Sequence, residues 1–309
     1  VAIPSGQGKA QPGLFFAPDT SEPKPLLVAL HTWSGDYTQA NPAYAVWCIE
    51  KQWVMVHPNF RGINDRPEAC GSEWVVQDIL DAVDYARSSA NIDNNRIYLI
   101  GASGGGYAAL LMAGRAPDVW AGVSAWCPIF DLADWHGETR AKNLKYASML
   151  EKVCDGAPGS SAKADDQYRI RSASHWLARA KNVRVCIQTG IADGHQGSVP
   201  VSHTLHAFNE LANDSDRISA SDIKLINQRP EMPPSLQMSI NDPLYGSKSL
   251  LFRKQSANVQ VTLFQGGHEI VYLAGLAWLE KQSKNLPAVW TIDSIPDISL
   301  EKFDTKSGK

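Results

Sequence analysis

With 309 residues, 44% of them apolar and 20% charged, and a formal charge of −3, the chain has the composition of a globular protein that buries a large core, and a fold of this size in the α/β class often forms one domain. The near-neutral charge and the lack of a basic cluster exclude a nucleic-acid backbone as partner. No apolar run reaches the roughly 18 residues that a membrane-spanning helix needs.

The first two dozen residues are rich in proline and glycine and hold one short strand, Gly13 to Ala17, with a turn at Pro18 to Pro23; together they read as an edge hairpin leading inward. Leu26 to Leu30 and Trp53 to Val56 are continuous apolar runs of the kind buried on both faces of a parallel sheet, with a helix between them. From Ser72 to Ser89 the residues Val75, Ile79, Val83 and Ala86 recur at helical spacing, with Asp78, Asp81 and Asp84 placed elsewhere around the helix. Further strands are expected at Ile97 to Ile100, Ala121 to Trp126, Arg184 to Gln188 and Val259 to Phe264, and helices after the last two, marked by Val201, Leu205 and Phe208 and by Ile270, Leu273 and Ala277. The alternation predicts an α/β fold with a mostly parallel central sheet and helices on both faces.

Three segments depart from that rhythm. Residues 131–181 are polar and helical in character and are expected to cap the site. Residues 213–258, punctuated by Pro230, Pro233, Pro234 and Pro243, read as an insertion. The tail from Leu286 has one strand-like patch at Ala288 to Ile292 and a polar end that is expected to be mobile. Of five cysteines, Cys127 and Cys186 fall in apolar strands, while Cys48 and Cys70 form a candidate disulfide, which would imply an oxidising compartment. The chain starts at Val1, and a removed export signal is neither seen nor excluded, so localisation stays open; a secreted or periplasmic location is favoured.

The chemistry concentrates in Gly101-Ala102-Ser103-Gly104-Gly105, between the strand ending at Ile100 and a helix from Tyr107 to Ala113. A Gly-x-Ser-x-Gly turn from strand to helix forces a strained backbone on its serine and exposes the hydroxyl at the amino end of a helix, where negative charge is favoured. Gly104 to Ala109 also fits the Gly-x-Gly-x-x-Ala dinucleotide fingerprint, but that motif belongs at the first strand of a fold. A serine hydroxyl needs an imidazole to take its proton and a carboxylate to hold the imidazole. Asp193 and His268 follow the last two parallel strands and supply both in the order Ser, Asp, His; Asp131 and Asp134 are the fallback acids. His203 and His206, three apart, lack a metal-binding pattern, and no metal or cofactor is required. The oxyanion donors are expected to be the Gly104 amide and, from the loop after Leu30, that of Trp33, with Thr32 second.

Val56-His57-Pro58-Asn59-Phe60-Arg61-Gly62, Asp78 to Tyr85, Gly101 to Tyr107, Val199-Pro200-Val201-Ser202 and Gly266-Gly267-His268-Glu269 resemble, in the same order, stretches of the catalytic domain of the prolyl oligopeptidase family of α/β-hydrolases and its esterase relatives. The resemblance runs from about Gly13 to Lys281 and implies an α/β-hydrolase fold and an acyl-enzyme mechanism. The family's peptidases usually carry a β-propeller, which this chain could not build, so an ester substrate is expected ahead of a short peptide, with a non-catalytic binding module as the third reading. The ten tryptophans, with Trp33, Trp74, Trp126 and Trp135 on or near the active edge, suggest a carbohydrate-linked acetyl or feruloyl ester, a small-molecule or oligosaccharide substrate. Tyr245 and Arg253, with Arg229 and Lys248, are expected to contact it from the insertion. The oligomeric state is not legible.

Overall fold

The structure is a computed structural model that describes residues 1–303 apart from Gln7 and Ala40. One sheet of nine strands runs through the described residues: β1 (Ala2–Ile3), β2 (Gln11–Phe16), β3 (Lys24–Leu30), β4 (Val54–Pro58), β5 (Ile92–Ala102), β6 (Gly122–Trp126), β7 (Val185–Gly190), β8 (Leu250–Ser256) and β9 (Val259–Phe264), in the spatial order β1, β2, β4, β3, β5, β6, β7, β9, β8. The six strands from β4 to β9 in that order are parallel, while β2 and β8 pair antiparallel at either side. Alternation explains why the central strands read as unbroken apolar runs. In β3, Leu26, Val28 and Leu30 face one core and Leu27 and Ala29 the other; in β5, Ile97 and Leu99 oppose Tyr98 and Ile100 in the same way.

The first core is covered by α2 (Glu73–Ser89), α3 (Gly104–Arg115) and α7 (Val201–Leu211), and by α4 (Leu132–Ala141), α5 (Lys145–Cys154), α6 (Ala162–Arg171) and α8 (Ala220–Gln228) toward its rim. The second is covered by α1 (Pro42–Glu50) and α9 (Tyr272–Glu280). Helix α2 begins where the sequence places it, because the Ser72 hydroxyl accepts the Val75 amide and so satisfies one orphan donor of the first turn.

Several expectations are corrected. The turn at residues 18–23 does not close a hairpin: β2 pairs with β4, and the chain passes over β4 to enter β3. Asp78 is fully buried, its carboxylate held by Arg61 at 2.7 Å and by the Ser5 hydroxyl at 2.8 Å, so it ties the loop after β4 to α2. Residues 213–258 are not simply an insertion. They contain α8 and the last sheet strand, β8, whose mixed polar sequence suits an edge strand and conceals the period. Residues 288–292 join no ladder; Trp290 instead stacks on Trp278, with centroids 5.8 Å apart. The polar end after residue 303 lies outside the described residues. Cys48 and Cys70 are both free, because they are buried in the cores on opposite faces of the sheet, and the ground for an oxidising compartment goes with that pairing.

The crossing of α3 over β3 tolerates no side chain at Gly105, where a Cβ would lie 2.6 Å from Leu30 O and 2.9 Å from His31 O, both backbone atoms. We expect Gly105→Ala to lower unfolding free energy in urea by about 2–4 kcal/mol. Gly137→Ala in α4, where a Cβ meets nothing within 4 Å, should be neutral or stabilise by about 0.5–1 kcal/mol. Equal effects in the two melts would contradict this packing.

Candidate active site

Ser103 sits between β5 and α3 with φ 58° and ψ −122°, a backbone that a side-chain-bearing residue adopts at a cost of order 1–3 kcal/mol and only when its surroundings enforce it. They do: the Ser103 amide donates to Trp126 O at 2.8 Å, and the Ser103 carbonyl accepts the Tyr107 amide at 2.8 Å, the first turn of α3. Gly104 presses against the loop after β3, and a Cβ there would lie 2.3 Å from Trp33 N. The same contact places the Gly104 and Trp33 backbones side by side. The Thr32 amide is engaged by Gln39 Oε1 at 2.8 Å, which leaves Trp33 as the donor that this loop can offer beside Gly104. His31 holds the loop from below, its ring nitrogens 2.9 Å from Thr32 O and 2.8 Å from Asn59 O.

The structure brings Asp193 and His268 together. Asp193, just beyond β7 and 1% exposed, places Oδ2 2.7 Å from His268 Nδ1, and its Oδ1 accepts the Gly194 amide at 2.8 Å. When neutral, the imidazole is thereby fixed as the tautomer with hydrogen on Nδ1 and the lone pair on Nε2. Burial works against a cationic His268, but the Asp193 carboxylate outweighs it and holds the imidazole well above its ordinary range. Ser103 and His268 line one cleft of about 670 Å³, walled by Thr32 to Gly35, by Gln196 to Ser198 and by Lys145 and Tyr146 in the first turn of α5. Of the helical segment 131–181, Lys145 and Tyr146 are the described residues that line this cleft.

Other candidates lie elsewhere. Asp131 caps α4, accepting from the Ala133 and Asp134 amides, and with Asp134, His203 and His206 it borders a separate depression of about 750 Å³ that contains neither Ser103 nor His268. His203 takes the Phe130 amide on Nδ1 and meets Glu138 with Nε2, so it does not combine with His206 as a ligand pair. Trp135 is buried behind the wall, with Nε1 donating to Ser198 O, and packs on Trp33 at 4.6 Å and on Tyr146 at 4.9 Å. Trp126 is buried in the second core, while Trp74 lies under the Arg61 guanidinium. Tyr245 is buried too and donates to Gln188 Oε1, and Arg253 pairs with Asp242; neither lines the cleft, so the expected substrate contacts through Trp135, Tyr245 and Arg253 are withdrawn.

Three further groups lie beside His268: Cys127 and Gly197, which only the fold brings there, and Glu269, which follows it in the chain and whose role as a brace sequence reasoning missed. The Cys127 thiol donates to Glu269 O at 3.2 Å, and its sulfur lies within 4.8 Å of an Asp193 oxygen and a His268 nitrogen; among the described residues these form the one group of His, Cys, Asp and Glu side chains so close together. The buried Glu269 carboxylate accepts the Gly267 amide at 3.0 Å and pairs with Lys248 at 2.7 Å, bracing the loop that carries His268. Gly197 has no room for a side chain, since a Cβ would lie 2.3 Å from Asp193 Oδ1 and 2.4 Å from His268 Cβ.

A serine at a strained strand-to-helix elbow and an aspartate-held histidine, all at the carboxyl ends of a mostly parallel sheet, define the serine hydrolases of α/β-hydrolase fold. The sequence profile of the prolyl oligopeptidase family matches residues 43–224, more than half of the chain, and the chain belongs to that family. Acylamino-acid-releasing enzyme 2 of rice, Oryza sativa subsp. japonica, is 25% identical over 207 residues, 62% of this chain and 26% of its own. The uncharacterised protein YfhR of Salmonella typhimurium is 26% identical over 151 residues, 48% of this chain and 47% of its own. Among solved structures, acylaminoacyl peptidase of Pyrococcus horikoshii matches 94% of this chain and 42% of its own at TM-score 0.61 and 14% identity. A puromycin-hydrolyzing peptidase of Mycobacterium tuberculosis matches 90% and 38% at TM-score 0.58 and 15% identity; both likenesses are of fold. The chain thus spans about a quarter of the length of the rice relative. Among the described residues no helix is long and apolar enough to cross a membrane.

Because the base must be neutral to accept a proton and Asp193 raises its affinity for one, the acid limb of kcat/KM should have its midpoint above 6.5, with activity rising as pH increases through it. Asp193→Asn removes the raising charge and should move that midpoint down; a midpoint at or below 6.5 in the wild type would contradict the pairing. Lys248→Met should lower kcat between about 10- and 100-fold with KM nearly unchanged, through a displaced His268 loop, and Lys248→Arg should restore it. Equal losses in the Met and Arg variants would show that the brace does not act on the base.

Proposed function

We propose that this protein is an acyl hydrolase that cleaves small substrates blocked at the amino end, N-acylated amino acids or short acylated peptides and the corresponding esters, through a Ser103 acyl-enzyme. The observation that carries the reading is the 2.7 Å contact between Asp193 Oδ2 and His268 Nδ1 beside an elbow serine in the same cleft. Ser103 Oγ attacks the carbonyl carbon as His268 Nε2 takes its proton, the Gly104 and Trp33 amides receive the oxyanion, and His268 returns the proton to the departing amine or alcohol. Water then repeats the sequence to release the acid and free Ser103. Asp193 keeps its negative charge throughout and steadies the imidazolium.

Two observations favour a blocked amino end over a free one. No Asp or Glu lines the cleft among the described residues, so nothing there would hold a free α-ammonium, and the rice relatives are named as acylamino-acid-releasing enzymes. The tryptophans invoked for stacking on a sugar are meanwhile in the core or away from the cleft, Trp33 excepted. A binding module would have no use for a strained serine beside an aspartate-held base.

Turnover of N-acetylalanyl p-nitroanilide, of alanyl p-nitroanilide and of p-nitrophenyl acetate tests the reading. The acetylated anilide should exceed the free-amine anilide in kcat/KM, Ser103→Ala should abolish turnover of all three with little change in melting temperature, and Asp193→Asn should cost around 10⁴ in kcat. Preference for the free amine, or turnover surviving in Ser103→Ala, would contradict it.

A further inference from the structure

We propose that Lys145 is a specificity residue that receives an anionic group of the substrate, so that the preferred substrates of the Ser103 site carry a carboxylate in addition to the blocked amino end; this rests on the hydrolase reading above. Apart from His268, Lys145 is the one ionisable cation among the described residues that line the catalytic cleft, and no carboxylate lines it to neutralise that charge. Its ammonium lies 5.7 Å from the centroid of the Tyr146 ring and enters no ion pair among the described residues, unlike Lys248, whose charge is taken up by Glu269. Tyr146 stacks on Trp135, and Trp135 meets Trp33 edge to face, so the lysine stands at the outer end of an aromatic wall that reaches back to the loop after β3.

The position is electrostatically odd for a lysine. It is the first residue of α5, where the helix dipole disfavours a cation, and this helix has neither an acidic residue in its first turn nor a side-chain cap on its amides. The Lys142 ammonium, three residues earlier, donates to Gly194 O, next in the chain to Asp193, and does not line the cleft. An anionic group entering past Tyr146 would offset both the unpaired lysine and the exposed end of the dipole. An apolar or cationic substrate would gain nothing from either.

The test compares matched substrates in wild type, Lys145→Met, Lys145→Glu and Lys145→Arg. One pair places the charge on the acyl part, p-nitrophenyl hemisuccinate against p-nitrophenyl acetate; the other places it on the leaving part, N-acetyl-dialanine against its carboxamide. Wild type should prefer the anionic member of at least one pair. Lys145→Met should reduce that preference about tenfold, Lys145→Glu should reverse it and Lys145→Arg should retain it, the anionic members losing far more turnover than the neutral ones. Which pair responds tells whether the anion belongs to the acyl or the leaving side. A wild type without preference in either pair, or a loss shared equally by charged and neutral members, overturns the assignment. Ser103→Ala separates the two levels: if it is inactive while the Lys145 variants keep the wild-type ratio, only this proposal falls, whereas turnover surviving in Ser103→Ala removes the hydrolase reading itself.

Discussion

The arrangement depends on one backbone constraint, the positive φ of Ser103. A serine relaxes from φ 58° unless the chain on both sides is fixed, and here β5 fixes one side by parallel pairing with β3 and β6 while α3 fixes the other through its first hydrogen bond. That conformation turns the hydroxyl out of the sheet and sets the Gly104 amide against Trp33. The glycines around the serine are consequences: each lies where neighbouring backbone comes too close for a side chain, so helix and strand can pack as tightly as the turn demands. The strain is offset by core packing on both faces of the sheet, and that is why the site needs so large a scaffold.

The partners of Ser103 come from strands next to and beyond its neighbour in the sheet. Because β5, β6, β7 and β9 are parallel and adjacent in that order, the loops after β7 and β9 emerge on the same edge as the elbow, and Asp193 and His268 meet there although 75 residues separate them in sequence. The antiparallel β8 extends this frame. It closes the sheet beside β9, and the loop before it supplies Lys248 to the Glu269 carboxylate, so residues that read as an insertion brace the loop that carries His268.

The central strands, the elbow and the order Ser, Asp, His were legible because each leaves a local mark: an unbroken apolar run, a glycine pattern, a polar residue just past a strand. What was not legible depends on long-range neighbours. Asp78 looks like one more polar residue of α2 until Arg61 arrives from the loop after β4. β8 carries Arg253, Lys254 and Gln255 and lacks the apolar signature of its neighbours because it lies at the edge. Tyr245 and Arg253 lie in the right segment but turn toward Gln188 and Asp242, and Cys48 and Cys70 are separated by the sheet itself. Lys145 has no motif at all; its meaning comes from the cleft that α5 happens to border.

The central claim is that Ser103 is made nucleophilic by His268 under the control of Asp193. The most direct measurement is the rate at which a fluorophosphonate phosphonylates the intact protein with loss of fluoride, with the modified peptide identified by mass spectrometry. The account predicts stoichiometric labelling at Ser103, at a rate that rises with pH as His268 loses its proton and that falls by orders of magnitude in His268→Ala. Labelling at another serine, or labelling of Ser103 at an undiminished rate without His268, would contradict it.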